Sequence, residues 1–254
     1  MSKATFLTYE KPLLVSMHQE TNPTDMICTI LDARYNGAEA FGIQLECLER
    51  SYRDEETLKK IFSYCGGKPI YITSYRGDKS KGMTDEECVE LLLLGLRAGA
   101  TLCDLMGDLY HPEAHQLTFD PDAVERQRAL IDRIHEMGGE VLMSSHLPEF
   151  VDEECVVKYA HAQRERGADV VKIVNISNSE DEETAHFNTI RRLKKELKCP
   201  FLYLVSGTHS RLIRQIGPAL GVCMYLCVNR YVPTSTKMQP QLRSTRLIRD
   251  QLFL

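Results

Sequence analysis

The sequence predicts a single (β/α)8 barrel, and three observations carry that prediction. Eight short, almost wholly apolar runs alternate with longer amphipathic segments. The chain has 254 residues, the usual size for eight βα units in one domain. A doubly wound open sheet, the structural rival, usually carries a glycine-rich loop after its first strand. Here the first run, PLLVSM, passes directly into HQETNPTDM. No linker, low-complexity segment or internal repeat divides the chain, so residues 1–254 are expected to form one domain.

The strand candidates follow in order: PLLVSM, AFGIQLEC, PIYITSYR, TLCDLMGD, EVLMSSH, DVVKIVNIS, FLYLVS and GVCMYLCV. Their near-continuous apolarity suits strands covered on both faces. Three intervening segments and the C-terminal one carry helix signals. TDEECVELLLLGLRAGA opens on a capping box, Thr84 with Glu87, and stops at Gly99. DPDAVERQRALIDRIHEMGG has proline in its first turn, an apolar stripe and a glycine stop. SEDEETAHFNTIRRLKKEL places acids in its first turn and bases in its last, as the helix dipole favours. QLRSTRLIRDQLFL closes the chain as a helix.

Bulk properties narrow the function. The composition is 43% hydrophobic, enough for a sizeable core without staples. A net charge of −5 argues against a nucleic-acid partner, which needs a basic face. Nine cysteines, an odd number with no C-x-x-C pair and no zinc-type spacing, read as buried thiols in a reducing compartment. The N-terminal stretch MSKATFLTYEKPLLVSMHQE lacks the apolar region of a signal peptide, and no window approaches a membrane span. The expectation is a soluble cytoplasmic protein with no membrane partner.

In a (β/α)8 barrel the chemistry sits at the C-terminal ends of the strands. The polar residues there are Glu46, Arg76, Asp104 and Asp108, His146, Lys172, then Ser206, His209, Ser210 and Arg211, and finally Asn229, Arg230 and Gln241. Each has a plain structural reading. A strand-end lysine snorkels to water, Asp104 pairs with a neighbouring lysine or caps a loop, Arg76 is a solvated loop charge, and HPEAH, with its two histidines, is an incidental loop. Together they point further. Burial in an apolar strand favours a neutral lysine amine, which is the nucleophile an imine requires. A histidine on the adjacent strand suits proton transfer, and rim arginines suit a carboxylate. The set reads as Schiff-base lyase or aldolase chemistry on a small keto acid.

These residues resemble the type I 3-dehydroquinate dehydratases, (β/α)8 Schiff-base enzymes of the shikimate and quinate routes. GADVVKIV resembles the family's strand around its imine-forming lysine, which implies Lys172. SSHLPEF resembles the segment of its general acid/base, which implies His146. GTHSR resembles the Gly-x-x-Ser-Arg segment whose arginine holds the substrate carboxylate, which implies Arg211. PQL resembles the closing loop whose glutamine meets substrate hydroxyls, which implies Gln241. LEC and YITSYRG imply substrate contacts by Glu46 and Arg76. The resemblance also implies a homodimer, and chemistry that needs no metal and no organic cofactor. The chain departs from the pattern after Glu46, where the family has Glu-x-Arg-x-Asp and this chain has Leu48 and Glu49, so that one substrate-contacting arginine is missing; it departs again at Ser80, where the family has glutamate, and at Met106, Tyr203, Leu204 and Lys237. Such losses in a polar shell bear on substrate choice. Three other readings stay open: a related lyase or aldolase for another keto acid, a ligand-binding pseudoenzyme, and a metal-dependent isomerase using Glu46, Asp104 and His146.

Overall fold

The structure is a computed structural model, and it describes residues 4–76, 82–232 and 235–254. Ser80, one of the altered positions, lies outside the described residues. Eight strands form: β1 Leu13–His18, β2 Ala40–Gln44, β3 Ile70–Thr73, β4 Leu102–Met106, β5 Glu140–His146, β6 Val170–Ile176, β7 Phe201–Ser206 and β8 Met224–Cys227. Seven fall inside one of the eight apolar runs, and β1 runs one residue past its own, to His18. All seven ladders are parallel, in the order β7-β6-β5-β4-β3-β2-β1-β8. Between β7 and β8 the Cys223 N–H donates to the Phe201 carbonyl at 2.9 Å, bringing the two edges together into a nearly closed barrel.

Among the described residues eight α-helices cover the outside: α1 Pro23–Tyr35, α2 Glu55–Ser63, α3 Asp85–Arg97, α4 Pro121–Glu136, α5 Glu153–Glu165, α6 Glu180–Glu196, α7 Arg211–Leu220 and α8 Leu242–Leu252. The expected capping box closes α3: Thr84 accepts from the Glu87 N–H, and Glu87 accepts from the Thr84 N–H. Asp and Ser side chains at Asp54, Asp120, Asp152 and Ser179 accept in the same way at α2, α4, α5 and α6. None of the described helices is long and apolar enough to cross a membrane.

The strand period positions the site. Alternate residues face the barrel interior. On β5 these are Leu142, Ser144 and His146; on β6, Val170, Lys172 and Val174, paired one-to-one across the ladder. Tyr71 and Leu102 pair across β3 and β4, which sets Tyr71, Thr73 and Tyr75 in phase with Asp104 and Met106. The lower barrel is apolar: Val15, Leu142, Val170, Leu202 and Leu226 belong to one buried cluster with Phe6. Phe6 packs edge-on against Tyr71, ring centroids 6.5 Å apart, and its N–H donates to Glu140 at 2.9 Å. The N-terminal segment thus closes one end, and the polar residues collect toward the other.

Candidate active site

Lys172 is 4% exposed and Asp104 fully buried. The Lys172 Nζ lies 2.8 Å from Asp104 Oδ2. It also donates to the phenol oxygens of Tyr75, at 2.8 Å, and Tyr71, at 3.1 Å. Both phenols pass their own hydrogens to Asp104 Oδ2, Tyr75 at 2.6 Å, while the Ser144 hydroxyl donates to Oδ1. Burial alone would raise the Asp104 carboxyl, but the Lys172 ammonium and these donors outweigh it and hold the carboxyl below its ordinary range. Burial, then the Asp104 charge, pushes both phenols well above theirs, so they stay protonated. The expectation of a lone amine in an apolar strand is therefore corrected: Lys172 has an anionic partner across the barrel. The plain reading of Asp104, a pair with a lysine, is what the fold builds.

His146 ends β5. Its backbone N–H and its Nδ1 both meet Gln116 Oε1, at 3.2 and 2.7 Å. An oxygen that accepts from the N–H accepts from Nδ1–H too, which leaves Nε2 with a free lone pair. Burial, then the cations of Lys172 and Arg214, hold the imidazole down to about 3, so it is neutral. Gln116 itself has φ 48°, a left-handed conformation uncommon outside glycine.

Glu46 lies in a short 3-10 turn after β2, 5% exposed, with both carboxyl oxygens accepting from Thr73 Oγ1 at 3.0 and 2.9 Å. Burial raises it to about 7. The folded state then binds this proton more tightly than the unfolded chain, so the stability from neutral Glu46 is present below about 4.5 and lost as pH rises through about 7. Glu46→Gln should flatten the stability–pH curve across that window in urea unfolding; an undiminished slope contradicts it. Arg76 is committed to structure. It pairs with Asp85, and with Asp108 through the side chain at 3.0 Å and the backbone carbonyl at 2.7 Å. Four of its five N–H groups are used by described residues, which leaves one without a partner among them for a substrate oxygen.

Glu46, Arg76 and His146 line one cavity of about 480 Å3, together with Tyr75, Met106 and Gln116. Arg211 and Gln241 are exposed and line a separate pocket of about 110 Å3, with Gln215 and Tyr231. A larger groove of about 710 Å3 runs along α3 and holds none of the expected site residues. The sequence reading missed four residues. Tyr71 and Tyr75 were legible from strand period. Gln116 had no signal, lying in a loop. Arg214 sits one helical turn after Arg211, 7% exposed; its Nε donates to the Val205 carbonyl at 2.7 Å, and among the described residues no carboxylate lies within ion-pair distance. Of the HPEAH histidines, His115 meets the Tyr159 hydroxyl at 2.8 Å and His111 meets Thr118 at 3.2 Å. Among the described residues no group of three or more His, Cys, Asp or Glu side chains is arranged to hold a metal.

The family model of type I 3-dehydroquinase matches residues 15–246, nearly the whole chain. The chain belongs to the type I 3-dehydroquinase family. Solved structures of similar fold include the type I 3-dehydroquinate dehydratase of Clostridium difficile, with TM-score 0.83 and 16% identity over 97% of this chain and 94% of that one. The 3-dehydroquinate dehydratase of Geobacillus kaustophilus gives 0.80 and 16% over 97% and 93%. That of Enterococcus faecalis gives 0.79 and 13% over 98% and 98%. No curated protein sequence matches. At such identities these 3-dehydroquinase structures speak for the barrel, and the site residues rest on their own geometry.

Proposed function

We propose that this 3-dehydroquinase-family chain is a Schiff-base hydro-lyase that converts 3-dehydroquinate to 3-dehydroshikimate. The observation that carries the reading is a buried lysine amine, paired to Asp104 at 2.8 Å, beside a polar cavity walled by a neutral histidine of the neighbouring strand. Lys172 forms an imine with the C3 ketone. The iminium withdraws electrons and acidifies the C2 proton. His146, held as the Nδ1–H tautomer by Gln116, takes that proton on Nε2 and returns it to the departing C1 hydroxyl, which leaves as water. Hydrolysis then frees the product. Glu46 and the remaining Arg76 N–H hold ring hydroxyls. The Clostridium difficile relative carries a covalently modified comenic acid, in keeping with a site open to covalent chemistry.

The substrate carboxylate falls to Arg214 rather than Arg211. A buried guanidinium without a carboxylate partner is costly unless an anion completes it, and Arg214 is such a group, whereas Arg211 is exposed. Arg214→Gln should raise KM about 10- to 100-fold, the worth of a charge-assisted pair, with Arg211→Gln staying within about threefold; the reverse order contradicts this assignment.

One set of observations favours a related keto acid instead. Leu48 is buried in the core where the family has arginine, Met106 stands in the cavity wall, and Arg76 is largely engaged. The test is direct: the purified protein is mixed with 3-dehydroquinate and the product read by mass and enone absorbance. Loss of one water confirms the reading. No product, with turnover of another β-hydroxy keto acid, replaces the substrate.

A further inference from the structure

Imine formation at Lys172 sets a proton problem. An ammonium has three N–H bonds, the iminium keeps one, and the other two leave on the ketone oxygen as water. No proton enters or leaves overall, yet two must cross from nitrogen to oxygen. The carrier must touch Nζ on the cavity side and must donate and accept at once.

Asp104 touches Nζ but is fully buried, only accepts, and is already supplied by Tyr71, Tyr75 and Ser144. Tyr71 touches Nζ but is itself fully buried. His146 has its Nδ1 committed to Gln116. Tyr75 remains: its hydroxyl hydrogen rests on Asp104 Oδ2 at 2.6 Å, and turning that hydrogen to the entering ketone oxygen lets it donate while it accepts from Nζ. Its hydroxyl accepts from Nζ at 2.8 Å, its ring stands edge-on to the His146 ring at 5.4 Å, and it lines the cavity.

We propose that the Tyr75 hydroxyl is the proton shuttle of imine formation and hydrolysis at Lys172. It takes a proton from Nζ as it gives its own to the ketone oxygen, while nitrogen bonds to carbon; a protonated carbinolamine results. A second transfer along the same path protonates the carbinolamine hydroxyl. The C–O bond breaks, the nitrogen lone pair forms the C=N bond, and water leaves. The phenol is neutral before and after each transfer, so its resistance to ionisation is no obstacle. Hydrolysis runs the same steps backwards.

The shuttle rests on the imine reading above. The test is the rate of borohydride-trappable adduct on Lys172 with 3-dehydroquinate, in Tyr75→Phe and Tyr71→Phe beside the unaltered protein, in light and heavy water. Both variants lose one phenol bond to Lys172 and one to Asp104, so Tyr71→Phe controls for a merely structural effect. Tyr75→Phe should slow adduct formation about 100-fold or more and remove its solvent isotope effect, with Tyr71→Phe within about threefold. Equal slowing in both variants, or an undiminished rate in Tyr75→Phe, overturns the shuttle and leaves the imine intact. No adduct in the unaltered protein, with this or other keto acids, overturns both.

Discussion

Replacing Lys172 with methionine is expected to abolish turnover and to destabilise the fold by about 3–5 kcal/mol at neutral pH. The first effect follows from removing the nucleophile. The second follows from Asp104, which is fully buried and is kept ionised by the ammonium 2.8 Å away. In the variant that carboxyl keeps its phenol and serine donors but loses its countercharge, so burial prevails and favours the protonated acid. The stability difference therefore depends on pH. In the unaltered protein Asp104 is depressed, and its contribution is present above its unfolded value and lost as pH falls through its folded one. In Lys172→Met, acid instead relieves the buried charge. The gap between the two proteins, measured by urea unfolding, should narrow steadily as pH drops from about 7 to about 4. A constant gap contradicts the pairing. Lys172→Met, Asp104→Asn should recover much of the stability and none of the activity.

Replacing His146 with alanine should lower turnover by about 100- to 10,000-fold, the usual worth of a positioned acid/base, while Lys172 still forms its adduct. A loss of both signals would move His146 from proton transfer at C2 into imine formation itself. The neutral state is separately testable. Burial and the nearby Lys172 and Arg214 cations hold the imidazole down to about 3. Its NMR signals should therefore stay those of the neutral ring from about pH 8 to about 4; titration near the ordinary value of about 6.5 contradicts the site's electrostatics. A base that is unprotonated throughout this range matches a mechanism in which His146 must first remove a proton.

The barrel was legible because parallel strands buried on both faces leave unbroken apolar runs, and all eight runs hold a strand. Lys172 and His146 stood out as candidates because a lysine inside such a run and a histidine at the end of one have no packing reason to be there. Four helices, α1, α2, α5 and α7, were not singled out. In α1 only Met26, Ile30 and Ala33 are buried, a narrow stripe, and α7 carries Pro218 within it. The site was harder for a different reason. Asp104 and Lys172 lie on strands two apart and meet across the barrel interior, a contact that no local spacing encodes. Gln116 reaches His146 from a loop. Arg211 and Arg214 differ by one turn, and which of them is buried depends on where α7 begins and how it packs on β7. Tyr75 was within reach of the sequence: it shares its strand phase with Tyr71 and Thr73, and that phase points into the barrel.

The central claim is covalent chemistry at Lys172, and borohydride reduction in the presence of 3-dehydroquinate tests it most directly, with intact mass and peptide mapping as readouts. The account predicts one substrate-derived adduct per chain, located on Lys172 and absent from Lys172→Met. A folded protein that yields no adduct, or an adduct on another lysine, contradicts it.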